Sequence, residues 1–183
     1  MKYDISSLTA RFNQGEILKY IFFWGHSSKS DEAGKFVFSQ WYDSPFTVEG
    51  VLYPTAEHWM MAQKAILFNE PEIFRKILLS DKPGAVKELG RQIRNFNEDK
   101  WNQEKFGIVK AGNYHKFSQS KKLKDYLVST GDRIIVEASP VDTIWGIGLS
   151  QDAPMIENPA TWRGLNLLGF ALMEVRDELN NLS

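Results

Sequence analysis

The chain has 183 residues, of which 43% are hydrophobic and 25% charged, the proportions of an ordinary globular protein. Its 22 basic and 23 acidic side chains leave a net charge of −1, so no global field draws it to duplex nucleic acid or to an anionic membrane, and any nucleic-acid contact must be local. Cys is absent and His occurs only at His26, His58 and His115, which excludes disulfides, thiolate nucleophiles and Cys-bound metal centres and disfavours a His-rich metal site; no metal and no cofactor is expected.

A single domain over residues 1–183 is the expectation, since a chain of this size can bury about 70% of the surface that its unfolded form exposes. The first twenty residues have no apolar core, and no later stretch supplies the ~18 uninterrupted apolar residues of a membrane span. The expected compartment is the cytoplasm. Aromatics reach 13% with six Trp, the supply that an aromatic-lined pocket needs, although large cores use Trp as well.

In chain order, Tyr20 to Trp24 and Phe36 to Trp41 read as strands on either side of a polar loop from His26 to Lys35. Phe46 to Tyr53, broken by Gly50, reads as a hairpin that delivers the chain to Pro54. From Thr55, a candidate N-cap, the period moves toward 3.6 and a helix runs to about Phe68. Further helices are expected over Glu72–Leu79, Ala85–Arg94, Glu98–Phe117 and Lys121–Ser129, and Arg133–Ala138 is a β-branched run that returns to the sheet. The stretch Ser139–Arg163 is long for an irregular segment, and its Trp and Ile content makes it an ordered, site-forming loop rather than a disordered one. A last helix, Leu165–Leu179, carries Leu168, Leu172, Val175 and Leu179 on one stripe. The predicted architecture is therefore α+β, mainly helical, with a small antiparallel sheet.

Two places hold chemistry. The helix after Pro54 reads PTAEHWMMAQKAILF, with Glu57 and Lys64 as its only charges. Seven residues separate them, so they share one stripe about 10.5 Å apart along the axis. They either face one cavity, where burial would make both costly and hence functional, or line a solvated edge. The segment Asp142-Thr143-Ile144-Trp145-Gly146-Ile147-Gly148 sets a carboxylate three residues before a Trp in a Gly-rich turn. Gly146 would let backbone approach a ligand. Spacing alone favours Asp142 as a turn cap. Arg91, and Asn166 at the start of the last helix, are placed to present a cation or an amide to a phosphate, although surface salt bridges explain these positions equally well.

The succession Pro54-Thr55-Ala56-Glu57-His58-Trp59 with Ala62-Gln63-Lys64, Gly90-Arg91, Trp101, Lys116-Phe117, Thr130-Gly131-Asp132, Glu137, Asp142 to Gly148 and Gly164-Leu165-Asn166-Leu167-Leu168-Gly169 resembles the NADAR family, the YbiA-like N-glycosidases. The matching blocks run from about residue 22 to 179. The resemblance implies a mainly helical α+β hydrolase of N-glycosidic bonds in ribosides, either phosphoribosylamino-pyrimidine intermediates of riboflavin synthesis or ADP-ribose carried on guanine in nucleic acid. It implies that Glu57, Trp101, Asp142 and Trp145 line the active site. It also makes Lys64 the lysine for which a Schiff-base route has been proposed. Two departures stand out: Ser39-Gln40-Trp41 replaces the family's S-N-F, and the stretch between Gly148 and Gly164 is longer than in compact members.

Cleavage of a riboside C–N bond develops oxocarbenium charge that a carboxylate stabilises while a second group activates water or protonates the leaving base. The expected set is Glu57, Lys64 and Asp142 as catalytic groups, with Trp101, Trp145, Arg91, Asn166 and Gly146 as substrate contacts around one cleft. A Schiff-base route needs a neutral Lys64, which burial favours and Glu57 opposes. A non-catalytic reader of ADP-ribose or a nucleotide is the competing class.

Overall fold

In the computed structural model, which describes residues 1–25 and 33–181, the elements follow in the order α1 (Ile5–Asn13), β1 (Tyr20–Phe23), β2 (Phe46–Val48), β3 (Val51–Tyr53), α2 (Ala56–Leu67), α3 (Pro71–Leu78), α4 (Pro83–Arg91), α5 (Glu98–Ser118), α6 (Lys121–Ser129), β4 (Ile134–Glu137) and α7 (Leu167–Asn181). Most of the expected polar loop, His26 included, lies outside the described residues. Among the described residues no helix is long and apolar enough to cross a membrane. The helices dominate, as expected of this α+β class. The chain divides into two compact units, Gln40–Ser120 and a discontinuous one made of Met1–Ser39 with Lys121–Ser183.

In the continuous unit the hairpin β2–β3 pairs Phe46 with Tyr53 and Val48 with Val51. Its two-residue tip, Glu49-Gly50, has positive φ at both positions, the requirement of a turn matched to strand twist. Thr55 then caps α2 in the extended conformation, and Pro71 and Pro83 open α3 and α4 at their first positions, where the missing N–H is no loss. α2 is the hub: it packs on α3, α4 and α5 and buries residues all round its first two turns. Close approach is secured by two glycines. A Cβ at Gly90 would overlap the Met61 thioether, and one at Gly112 would overlap the Trp59 indole. Trp59 Nε1 accordingly donates to the Ile108 carbonyl at 2.8 Å.

The discontinuous unit corrects the antiparallel expectation for the remaining strands. β1 pairs with β4 in parallel, Tyr20 with Ile134 through Phe23 with Glu137, separately from the hairpin. β4 is buried at Ile134, Ile135 and Val136, as a strand covered on both faces should be. The expected strand at Phe36–Trp41 is instead a 3₁₀ turn at Lys35–Phe38. Packing overrides β propensity here: Phe38 sets its ring 5.5 Å from Phe23 and 5.4 Å from Tyr126. The first helix, α1, was not foreseen. Asp4 caps it by accepting from Ser7 N at 2.8 Å, and only Leu8 is fully buried.

The irregular stretch before α7 is ordered by a ladder of backbone bonds. Arg163, Leu165, Asn166, Leu167 and Leu168 N–H groups donate to the carbonyls of Ile147, Thr143, Gly146, Ile144 and Trp145. Two of those donors belong to the first turn of α7, where orphan N–H groups need acceptors. Arg176 of α7, buried, donates to Thr130 Oγ1 at 2.9 Å and to the Arg133 carbonyl at 2.7 Å, closing the turn that leads into β4.

Candidate active site

The α2 stripe sits in the continuous unit, and its first residues are fixed from both sides. Thr55 Oγ1 accepts from His58 N at 3.4 Å and lies 2.8 Å from His58 Nδ1. His58 Nε2 is 2.9 Å from the Ser80 carbonyl, which can only accept, so Nε2 holds the proton and Nδ1 accepts from the Thr55 hydroxyl. Burial lowers the His58 pKa. The imidazole is thus a neutral strut between α2 and the α3–α4 connection.

Glu57 is 3% exposed and stands in the first turn of α2, the end at which the helix dipole favours negative charge. Its backbone N–H donates to the Gln40 carbonyl at 2.9 Å. Gln40 in turn donates through Nε2 to Asn113 Oδ1 at 3.1 Å, and Asn113 Nδ2 donates to the Val109 carbonyl of α5 at 2.8 Å. The start of α2 is therefore tied to α5 by a buried amide chain, which positions the carboxylate.

Lys64, two turns on, is half-buried. Its Nζ donates to the Gly90 carbonyl at 3.1 Å and lies 4.4 Å from the centre of the Phe96 ring and 5.4 Å from that of Trp101. Burial lowers its pKa, the Glu57 charge opposes this, and the Arg91 charge adds to the lowering. The direction left open by spacing is thereby decided: desolvation wins over Glu57 and the amine is held below the ordinary lysine range. Arg91 is exposed and engages Glu88 of its own helix.

Glu57, Lys64, Arg91 and Trp101 are in one unit, and Asp142, Trp145, Gly146 and Asn166 are in the other. In that second unit Asp142 Oδ1 accepts from Ile144 N at 2.9 Å and from Trp145 N at 2.7 Å, the turn cap that spacing favours. Gly146 is required because a Cβ would meet the carbonyl oxygens of Glu137 and Asp142 at 2.8 and 3.0 Å. Asn166 is buried with φ 52. Its Oδ1 accepts from Glu137 N and its Nδ2 donates to the Ile135 carbonyl, both at 3.0 Å, so the amide is committed to β4. Together with the bond from Ile147 N to the Glu137 carbonyl, it covers the edge of β4 that β1 leaves open.

We expect Asp142→Asn to keep both turn bonds, since Oδ1 survives, and to leave melting within about 0.5 kcal/mol of wild type. A loss of turnover in that variant would then report the charge and not the turn. Unchanged turnover would make Asp142 a cap alone.

α5 buries Lys105, Val109, Gly112, Asn113, Lys116 and Phe117, a helical stripe that includes an amide and two amines, none of them in the expected site. Polar residues recurring on an apolar stripe are the available signal. Burial pushes the Lys116 amine down from near 10.5 to about 7, with its Nζ 5.3 Å from the Phe117 ring and 5.7 Å from that of Tyr42. A base whose pKa is lowered on folding weakens the fold fully below its folded pKa. The unfolded chain binds the extra proton between about 7 and 10.5, so stability rises with pH across that window. Calorimetric melting from pH 6 to pH 10 is expected to show this rise, and Lys116→Met to flatten it while melting higher at pH 6. Equal slopes in the two proteins would refute the assignment.

A family model described as the NADAR domain matches residues 22–180. The chain belongs to the NADAR family. The NADAR chain is 44% identical over 165 residues to an N-glycosidase of Acanthamoeba polyphaga mimivirus, a match covering 87% of this chain and 96% of the relative. An N-glycosidase of Nostoc punctiforme is 32% identical over 136 residues, covering 74% and 80% of the two chains. In three dimensions the NADAR chain resembles the NMR structure of the Escherichia coli protein YbiA with a TM-score of 0.72 at 25% identity, over 90% of this chain and 86% of that one. The fold expected from the resemblance is thus the one observed.

Proposed function

We propose that the chain is an N-glycosidase that hydrolyses the C–N bond between a base and a ribose bearing a phosphate or an ADP-ribose moiety. The observation that carries this reading is the α2 stripe: a buried carboxylate, Glu57, and two turns later an amine, Lys64, held below the ordinary lysine range against aromatic rings. The names of the mimivirus and Nostoc relatives support the reaction class. The match across 22–180 includes residues of both units and supports their working as one NADAR module.

In hydrolysis, water adds to C1 of the sugar and the base leaves with the electrons of the C–N bond and a proton. Glu57 is suited to stabilising the developing oxocarbenium charge or to taking the water proton. Trp101 offers a π-face to base or cation, and Arg91 a charge to a phosphate. The depressed pKa of Lys64 opens a second route on a ring-opened ribose. The neutral amine adds to C1, the base departs protonated with the C–N electron pair, and the resulting iminium is hydrolysed to free amine and sugar aldehyde. Roles for Asp142, Trp145, Gly146 and Asn166 in substrate contact are proposed on the family resemblance.

A parallel turnover assay on phosphoribosylamino-pyrimidine intermediates and on ADP-ribosylated guanosine tests the proposal and names the substrate. Free base with ribose phosphate or ADP-ribose is the expected product. Saturable binding of either compound with no base released would identify a binding module instead. Borohydride added during turnover separates the routes: an imine route yields a ribose adduct on Lys64 in wild type and none in Lys64→Arg, because arginine stays protonated. Full activity in Lys64→Arg with no adduct in wild type would exclude an obligatory imine.

A further inference from the structure

Phe96 is an aromatic side chain in the polar turn Asn95-Phe96-Asn97 between α4 and α5, 43% exposed, where burial alone does not call for a large apolar residue. It is nonetheless ordered against another ring, that of Phe68 at the end of α2, at 5.3 Å between centres. Its own ring is the nearer of the two around the Lys64 amine, at 4.4 Å against 5.4 Å for Trp101. With Nζ donating to the Gly90 carbonyl, the amine is held by a carbonyl and two aromatic rings.

We propose that Phe96 is a positioning residue for the amine of Lys64: with Trp101 it forms an aromatic clamp that fixes where Nζ stands and stabilises the nitrogen whenever it is cationic. This rests on the reading of Lys64 as part of the active site. The chemistry suits such a clamp. A lysine that attacks C1 must be neutral at the moment of attack, and the iminium that follows carries its positive charge at the same nitrogen. A carboxylate in contact with Nζ would hold the ammonium strongly and suppress attack. Aromatic faces attract a cation more weakly than a carboxylate in contact would, and beside these rings burial still lowers the amine's pKa. The clamp also restricts the long lysine side chain, whose freedom would otherwise spread Nζ over many positions.

The test uses two substitutions in the full chain. Phe96→Leu keeps an apolar side chain and removes the π-face, and Phe96→Tyr keeps the ring. The first readout needs no turnover: the chain labelled with ¹³C at lysine Cε is titrated by NMR, with the Lys64 signal assigned through Lys64→Arg. In wild type Lys64 is expected to titrate below the ordinary lysine range. In Phe96→Leu its midpoint is expected to fall by about a further half pH unit, the size of one lost cation–π contact, and Phe96→Tyr is expected to restore it. The second readout is kinetic. Phe96→Leu is expected to lower kcat several-fold with KM within about twofold, and Phe96→Tyr to return kcat.

An unchanged midpoint in Phe96→Leu overturns the proposal, as does a change confined to KM, which would make Phe96 a wall for substrate. If Lys64→Arg retains full activity, the reading of Lys64 as a catalytic group fails. The titration still decides whether Phe96 holds the amine, so the two failures are distinguishable.

Discussion

Glu57→Gln is expected to lower turnover by about 10²–10⁴ while circular dichroism and melting stay as in wild type, the usual size of a positioned acid–base contribution. The amide has nearly the volume of the carboxylate, so the packing of a residue only 3% exposed is preserved. The backbone contact that positions it, Glu57 N to the Gln40 carbonyl, does not involve the side chain and survives the change. What is lost is the negative charge in the first turn of α2, and with it either stabilisation of a sugar cation or acceptance of a proton from water. The assay is the release of free base under saturating substrate, run beside a thermal melt. Should both rate and melting remain at wild-type values, Glu57 has no catalytic part and the α2 stripe loses its chemical meaning.

Gly169→Ala is expected to be the most damaging single methyl group for the fold. A Cβ there would meet the Ile135 carbonyl oxygen and both ends of the Asn166 amide at under 3.0 Å. None of these can step aside cheaply, because the carbonyl belongs to β4 and the amide is bonded to Ile135 and Glu137. Either α7 moves off the strand or the Asn166 bonds break. Overpacking of this kind costs about 1–3 kcal/mol and each lost bond about 1 more, against about 1 kcal/mol gained from the higher helix propensity of Ala. A net loss of about 2 kcal/mol should lower the melting temperature by about 4–8 °C in a chain of this size. Gly107→Ala is the control. That position is also helical and exposed, nothing lies within 4 Å of a Cβ there, and the same propensity gain should appear unopposed. Melting of Gly169→Ala at or above wild type would show that α7 and β4 are less tightly joined than the geometry states.

Where local chemistry and packing point the same way, the elements were legible. Thr55 caps α2 as its sequence position suggests, and α6 begins and ends at Lys121 and Ser129 as read. The misreadings share one cause, partners distant in sequence. Nothing in Phe36-Val37-Phe38 states that Phe23 and Tyr126 will seat Phe38 in a 3₁₀ turn. Nothing near β1 says that its partner is β4 in parallel rather than the hairpin. α1 is the exception: Asp4 is a capping residue and Ile5, Leu8 and Phe12 lie at offsets of three and seven, a short readable stripe of which only Leu8 is fully buried. At the candidate site, the charge spacing on α2 was readable, but the direction of the Lys64 shift was not. It depends on how far packing buries the amine, set against the Glu57 charge and helped by that of Arg91. Asn166 shows the opposite lesson: the family block that marks it conceals how completely its amide is engaged by β4.

The pairing of Tyr20 with Ile134 has a consequence for the order in which the molecule can be made. On the ribosome the run Tyr20–Phe23 emerges long before its partner, and the whole of Gln40–Ser120 is synthesised in between. At translation rates of 5–20 residues per second the strand waits on the order of ten seconds, a time in which short-range elements close and long-range ones cannot. The continuous unit can therefore assemble on the growing chain, whereas the discontinuous one is completed only after β4 and α7 have left the exit tunnel. An aromatic strand is held open throughout that interval, and its closure waits on the translation of Ile134–Glu137.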